Sequence, residues 1–457
     1  MNIAVILAGG KGERLGESVP KQFIKIAGKK IIEHTIDVFD SNNNIDEICV
    51  VINPEYKSYF EQIVLESDWI KVKKILFGGT ERYYSSLAAI EAYKNIENCN
   101  LIFHDAVRPL ITHNIINDVI KALNNGYNAI DVAISATDTI IEVNEENCIS
   151  NIPIRKKLRR GQTPQAFKLE IIKKAYDIFL SNFKKEEITD DCGIVMKALP
   201  NEKIYVVEGK ESNMKLTYPE DYYLLEKLFQ IKSYSINNGE DLSKLKNKVI
   251  VIFGGSSGIG LSISEIAKNN QAKVYNFSRK LNGTDITNAE EVSEALIRVY
   301  KDCGRIDYVL NTAAILVKEK LMTCSDTDIE NILSINLLGT INIARKAHQY
   351  LKESKGHLLL FTSSSYTRGR AFYSLYSATK AANVNFAQAI SQEWESDKIK
   401  VNVVNPERTN TPMRVKNFGS EPLNTLLTPE KVAIKSLEVL LSDINGQVID
   451  IKVKDDK

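Results

Sequence analysis

Residues 249–269 read VIVIFGGSSGIGLSISEIAKN, and this stretch decides the architecture of the chain. Val249–Phe253 is an uninterrupted apolar, mostly β-branched run, the pattern of a strand buried on both faces. It ends at Gly254-Gly255-Ser256-Ser257-Gly258-Ile259-Gly260, and an apolar helical pattern, Leu261–Asn269, follows at once. A strand that feeds a helix through glycines presents backbone N–H groups and the positive end of a helix dipole to a phosphate. Gly254 permits the tight turn, Gly258 the close approach of a pyrophosphate, and Gly260 the packing of helix on strand. Ser256 and Ile259 stand inside the same turn.

Downstream, Lys273–Phe277, Tyr308–Asn311, His357–Phe361 and Lys400–Val404 read as further strands between helical segments, the α/β alternation of a parallel sheet. Within this half, Tyr376-Ser377-Ala378-Thr379-Lys380 places a phenol and an ammonium four residues apart, on one helix face. Ser363 lies thirteen positions before the tyrosine. The ammonium is expected to lower the phenol pKa, so that Tyr376 exchanges a proton with a carbonyl or alcohol while Ser363 holds the same oxygen. The second strand ends in Asn276-Phe277-Ser278-Arg279 without the acid that reads a ribose 2′-hydroxyl, about 20 residues past the glycines. Ser278 and Arg279 therefore favour NADPH; the alternative is that Arg279 stacks on adenine or faces solvent. Arg368, Arg370, Arg414 and Lys416 could serve a phosphate-bearing substrate or form a solvated surface.

Upstream, Ile231–Asn247 is polar and rich in Asn, Ser and Lys. It divides the chain into domains 1–230 and 247–457 joined by a linker, 231–246. The first half repeats the α/β rhythm. Strands are expected at Ile3–Leu7, Glu47–Ile52, Leu101–His104 and Ala129–Ala133, and helices at Ile31–Phe39, Tyr83–Tyr93 and Ile115–Asn124. Thr139–Val143 and Cys148–Pro153 read as a two-stranded arm around Asn144–Asn147 that covers a site or reaches a partner subunit. The first strand runs into Leu7-Ala8-Gly9-Gly10-Lys11-Gly12-Glu13-Arg14-Leu15-Gly16, then Pro20-Lys21-Gln22. This second phosphate cradle carries fixed cations, Arg14 and Lys21, suited to neutralising an α-phosphate under attack. The halves share an architecture, two Rossmann-like doubly wound α/β domains in tandem, but no motif. Fusion explains that better than duplication.

Bulk properties narrow the partners. Lys and Arg number 59 and Asp and Glu 58, a net charge of +1, so no global field favours nucleic acid or membrane. No apolar run approaches a membrane span. The apolar start reads as a buried strand and not a secretion signal. The six cysteines are scattered without metal-type spacing and suit reduced thiols in the cytoplasm.

With those residues in view, the first half resembles the cytidylyltransferases of 2-C-methylerythritol 4-phosphate and ribitol 5-phosphate. Gly78-Gly79-Thr80-Glu81-Arg82 with Ser85 and Ser86 resembles their cytosine- and ribose-reading loop. His104-Asp105-Ala106-Val107-Arg108-Pro109 resembles the segment whose aspartate, here Asp105, holds Mg²⁺. Asp138, Thr139 and Arg155 match positions that bind the polyol phosphate, Arg155 from a neighbouring subunit's arm. Lys215 resembles a second catalytic lysine, and Arg160–Phe167 looks more like the ribitol-type members. The resemblance implies that Leu7–Gly12, Gly79, Arg82, Ser85 and Ser86 bind CTP, and that Arg14, Lys21 and Lys215 are catalytic.

The second half resembles the short-chain dehydrogenases/reductases. Asn311-Thr312-Ala313-Ala314, the relay residue Asn336, the adenine-side pair Asp285-Ile286, and Pro406-Glu407 before Thr409 match that family's segments, with Glu407 where a glycine is usual. The resemblance implies that Asn336, Ser363, Tyr376 and Lys380 are catalytic, and that Asn311, Ala313 and Thr409 join the cofactor site. Together the halves resemble fusions that reduce D-ribulose 5-phosphate and then make CDP-ribitol for capsule or surface polymers, as homodimers. Methylerythritol 4-phosphate or an arabinitol phosphate as the acceptor, and one half as a non-catalytic binding module, stay open.

Overall fold

A computed structural model describes residues 1–10, 20–79, 82–183, 188–236 and 241–453. The chain forms two compact units, Met1–Glu226 and Lys227–Lys457, each considered by itself.

The strands of the first unit are β1 (Asn2–Ala8), β2 (Lys25–Ile26), β3 (Lys29–Lys30), β4 (Glu47–Ile52), β5 (Val72–Phe77), β6 (Asn100–Asp105), β7 (Ala129–Ser135), β8 (Glu142–Val143), β9 (Ile149–Asn151), β10 (Arg159–Gly161), β11 (Gln165–Lys168) and β12 (Ile204–Glu208). An eight-stranded sheet runs β10-β7-β11-β6-β1-β4-β5, with β12 also on β7. Alternate residues of the central strands go to opposite cores. Ile6, Val50 and Ile102 pack beneath the helices Ile31–Asp40 and His113–Asn124. Val5, Val51 and Leu101 face the helices Arg82–Tyr93 and Leu169–Asn182. Double burial is why these strands read as unbroken apolar runs.

The sheet is mixed. β10 and β11 run antiparallel to their neighbours. Three and four residues long, with Arg159, Arg160 and Gly161 in the first, they carry no hydrophobic run to betray them. The arm is shorter than expected: only β8 and β9 pair, around a turn in which the Asn144 side chain accepts from the N–H groups of Glu146 and Cys148. Ile140, Ile141, Val143, Ile149, Ile152 and Ile154 on it are exposed.

The span anticipated as linker is partly regular. The helix Pro219–Ile236 runs into it, and Leu242–Leu245 forms a 3-10 turn whose Leu245 is fully buried in the second unit. Polar composition alone does not separate a solvated helix end from a linker.

The second unit contributes β13 (Val249–Phe253), β14 (Lys273–Phe277), β15 (Tyr308–Asn311), β16 (His357–Phe361), β17 (Lys400–Pro406) and β18 (Val448–Ile451), all parallel, in the order β14-β13-β15-β16-β17-β18. The chain winds outward from β13 to β14, then crosses back to β15. In the first unit it winds from β1 to β4 and β5, then crosses to β6. Each reversal opens a crevice outside the carboxyl ends of two adjacent strands, where doubly wound sheets take ligands. Among the described residues, no helix is long and apolar enough to cross a membrane.

Candidate active sites

The first crevice lies at the ends of β1 and β6, where Leu7 stands in register with Asp105. Leu7, Ala8, Gly9 and Gly10 carry the chain out of β1; Lys11, Gly12 and Arg14 lie outside the described residues. The buried Gln22 side chain steadies the described part, donating to the carbonyls of Ala8 at 2.9 Å and Gly10 at 3.3 Å. Its neighbour Lys21 opens a short 3-10 turn. The facing loop is equally tight: a Cβ on Gly78 would sit 2.5 Å from Ser85 Oγ, and one on Gly79 2.6 Å from Tyr84 Cβ. Ser85 and Ser86 are buried, and Ser86 Oγ has no hydrogen-bond partner among the described residues. Arg82 begins the helix Arg82–Tyr93.

Asp105 is the centre of charge. Its Oδ2 accepts from Arg108 Nε at 3.2 Å and pairs with Lys215 Nζ at 3.1 Å. The backbone forces this meeting: Leu216 N–H donates to the Val107 carbonyl at 3.0 Å, and Arg108 Nη1 to the Asn213 carbonyl at 2.9 Å. His104 beside it is structural. Fully buried, it bonds Thr163 Oγ1 at 2.9 Å through Nδ1 and the Arg108 carbonyl at 3.1 Å through Nε2, and burial pushes its pKa down to about 4.

Asp138, Thr139 and Arg155 lie exposed on the arm. Arg155 donates to the Thr137 carbonyl at 3.3 Å.

The second crevice is a cavity of about 610 Å³ lined by Gly254, Ser256, Gly258, Ile259 and Gly260. Gly254 and Gly258 adopt φ of +89° and +56°, the left-handed region that glycine tolerates. A Cβ on Gly254 would lie 2.5 Å from Ala313 N, and one on Gly260 2.4 Å from Thr312 Oγ1. Thr312 thus fills the space the glycines leave and donates to the Phe253 carbonyl at 3.0 Å. This cradle fits a dinucleotide pyrophosphate.

At one side of the cavity, Ser278, Arg279, Asp285 and Ile286 line the wall. The Ser278 hydroxyl caps the Leu281 N–H at 3.1 Å, and Arg279 pairs with Asp285 at 3.8 Å. Ala313 and Thr409 also line it, whereas Asn311 braces the wall from behind, accepting from the Ala313 N–H and donating to Thr340. Glu407, the departure from glycine, accepts from the Val453 N–H at 2.8 Å and ties the loop to the chain beyond β18.

At the other side stand Ser363, Tyr376 and Lys380. Asn336 is buried in a π-helical turn, Ser334–Leu338, its side chain exchanging hydrogen bonds with both backbone groups of Ile315 at 2.8 and 2.9 Å. Lys380 Nζ donates to the Phe361 carbonyl at 2.9 Å and lies 5.5 Å from the Tyr376 ring centroid. One expectation is corrected. Lys380 was to lower the phenol pKa; instead burial pushes Tyr376 up to about 12, against smaller downward pulls from the Ser363 hydrogen bond and the Arg414 charge. Burial also pushes Lys380 down to about 8. Desolvation is the largest influence on the phenol and Lys380 is not among the charges that shift it, so the phenol stays protonated at neutral pH, as a proton donor to a ketone must.

A family model described as 2-C-methyl-D-erythritol 4-phosphate cytidylyltransferase matches residues 2–230, and one for short chain dehydrogenase matches residues 280–421. The bifunctional ribulose 5-phosphate reductase/CDP-ribitol pyrophosphorylase Bcs1 of Haemophilus influenzae is 48% identical over 462 residues, covering 100% of this chain and 97% of its own. The chain belongs to this bifunctional reductase–pyrophosphorylase family. The 2-C-methyl-D-erythritol 4-phosphate cytidylyltransferase of Thermobifida fusca is 37% identical over 232 residues, 50% of this chain and 92% of that one. A crystal structure of 4-diphosphocytidyl-2C-methyl-D-erythritol synthase from Anaerococcus prevotii, 27% identical, covers 50% of this chain and 96% of its own at a TM-score of 0.44.

As a member of the bifunctional family, the chain pairs a cytidylyltransferase with a nicotinamide-dependent reductase of the short-chain type. Sequence reasoning passed over three of its site-forming residues. Gln22 and Arg108 stand inside quoted motifs without a role, and Arg408 lines the reductase cavity unmentioned. Proximity to a motif was the available signal; which atoms they would grip was not legible.

Proposed function

We propose that the second unit reduces D-ribulose 5-phosphate to D-ribitol 5-phosphate with NADPH, and that the first transfers CMP from CTP to that product, giving CDP-ribitol and pyrophosphate for capsule or surface polysaccharide. The observation that carries this reading is the full-length likeness to a bifunctional enzyme of that name, in a chain where both crevices gather reactive groups.

In the reductase, NADPH supplies a hydride to the ketone carbon. Tyr376 gives its proton to the carbonyl oxygen, which Ser363 orients. Lys380 and Asn336 form the path by which the phenolate regains a proton. Gly254, Ser256, Gly258, Ile259 and Gly260 cradle the pyrophosphate, with Asp285, Ile286, Asn311, Ala313 and Thr409 shaping the remainder. Ser278 and Arg279 favour the 2′-phosphate of NADPH.

In the transferase, an oxygen of the pentitol phosphate attacks the CTP α-phosphorus and pyrophosphate leaves. The nucleophile is already an anion, so alignment and charge neutralisation suffice. Arg14, Lys21 and Lys215 supply the charge. Leu7–Gly12, Gly79, Arg82, Ser85 and Ser86 hold CTP, the unpartnered Ser86 hydroxyl being a ready contact. Asp105 would hold Mg²⁺, which offsets triphosphate charge; a single protein carboxylate suits an ion that keeps phosphate and water ligands. Asp138, Thr139 and Arg155 bind the acceptor phosphate, Arg155 across a homodimer. The working domains are 1–230 and 247–457, joined over 231–246, in a cytoplasmic enzyme.

The family model over residues 2–230 favours a second acceptor, 2-C-methyl-D-erythritol 4-phosphate. Protein incubated with ribulose 5-phosphate, NADPH, CTP and Mg²⁺ should lose NADPH and release CTP-dependent pyrophosphate. Pyrophosphate released only with methylerythritol 4-phosphate would transfer the assignment to that acceptor.

A further inference from the structure

The reductase cavity holds cations in two places. Arg279 and Lys280 follow β14 at the sheet edge, whereas Arg370, Arg408 and Arg414 follow β16 and β17. Three strand positions separate β14 from β16 and four separate it from β17, roughly 14 and 19 Å at the usual spacing, so one phosphate does not bridge the two groups. Ser278 and Arg279 are accounted for by the cofactor. The second group stands beside the proton donor. The Arg414 guanidinium lies 4.6 Å over the Phe418 ring, Phe418 packs 5.8 Å from Tyr373, and Tyr373 lies 6.3 Å from Tyr376.

Arg414 is held by more than its stacking on Phe418. Glu421 grips it with two parallel bonds, Nε to Oε2 at 2.6 Å and Nη2 to Oε1 at 3.0 Å. The same carboxylate receives Arg408 Nη1 at 3.3 Å. One carboxylate thus faces two guanidiniums, leaving excess positive charge, and the Arg414 pair presents Arg414 in one orientation. Arg370 adds to it: its backbone N–H is fixed on Ser377 Oγ at 3.3 Å, and its guanidinium has no acidic partner among the described residues. Arg368 and Lys416, equal candidates from sequence, do not line the cavity.

We propose that Arg414, oriented by Glu421, and Arg370 bind the phosphate of the ketose reduced at Tyr376, and so make the reductase prefer a phosphorylated over a free ketose. This rests on the reading of the second unit as a ketose phosphate reductase. Arg414 and Arg370 touch substrate; Glu421 is a positioning residue.

The test compares kcat/KM for D-ribulose 5-phosphate and for D-ribulose in the full chain. The ratio is insensitive to the fraction of a variant that folds. In Arg414→Met and Arg370→Met it should fall at least tenfold, chiefly through KM of the phosphate ester. Arg414→Lys, which keeps charge but loses the fork, should lie between. Inorganic phosphate should compete with ribulose 5-phosphate in the parent and much less in Arg414→Met. Glu421→Gln should raise KM for the ester while kcat holds; an equal loss on both ketoses would make Glu421 merely structural and remove it from the proposal. An unchanged ratio in both arginine variants overturns the clamp while leaving the reductase reading intact. A parent that does not oxidise NADPH with ribulose 5-phosphate brings down that reading, and the clamp with it.

Discussion

The two crevices arise from the same topological device yet differ in how their reactive groups are set. The reductase cavity collects its glycine cradle, Tyr376, Lys380 and Ser363 within one unit, walled by buried strand ends. The transferase crevice joins Asp105 to Lys215 and Arg108, but Arg155 stays exposed on its arm. The contrast follows the chemistry. Proton and hydride transfer depend on desolvation, which the walls of the reductase cavity provide and which dominates the pKa values of Tyr376 and Lys380. Nucleotidyl transfer depends on placing cations around phosphates, and these can come from loops, a metal or a second subunit.

The sharpest way to break this comparison is to disable one crevice and read both. Tyr376→Phe should lower ketone reduction by about 10³-fold, within the range for a lost general acid, while pyrophosphate release from added ribitol 5-phosphate and CTP is retained. Loss of both activities would show that the sites are not independent. Lys215→Ala should do the converse, cutting pyrophosphate release by about 10²-fold or more as a charge aimed at the transition state is removed, with NADPH oxidation intact. Arg155→Ala should be similarly impaired alone; mixing it with Lys215→Ala should restore partial activity if Arg155 works across a dimer, and the absence of rescue would confine the site to one chain.

Smaller effects refine the reductase side of the comparison. The Lys380 ammonium, with a pKa of about 8, loses its proton as pH rises through that value. Reduction should therefore decline above pH 8, approaching tenfold per unit if the charged form is required, in a pH series of kcat. A flat profile to pH 10 would mean that the charge on Lys380 is not needed. Arg279→Met should raise KM for NADPH by about tenfold, the value of one charge-assisted hydrogen bond of about 1.5 kcal/mol, and leave KM for NADH nearly as it was. Equal losses with both cofactors would assign Arg279 to adenine stacking.

Much of this was legible in the sequence because it is local. Val249–Phe253, Lys273–Phe277, Tyr308–Asn311 and His357–Phe361 have the boundaries expected; the buried Val249–Phe253 shows why, since a strand covered on both faces must be apolar throughout. The Tyr376–Lys380 spacing and the glycine turns are likewise properties of a few consecutive residues. The family resemblance, too, was carried by contiguous motifs.

What only the tertiary structure decided depends on residues far apart in the chain. The antiparallel β10 and β11 are specified by their place beside β7 and β6, not by their own composition. The meeting of Asp105 with Lys215 needs Leu216 on the Val107 carbonyl. Of four equivalent-looking cations, the fold selects Arg370 and Arg414 and sets Glu421 behind the latter. The raised phenol pKa is a further case: spacing announces the ammonium, but only the fold shows that burial governs the phenol. Sequence determines local conformation and motif; long-range packing determines which charges meet and how much water surrounds them.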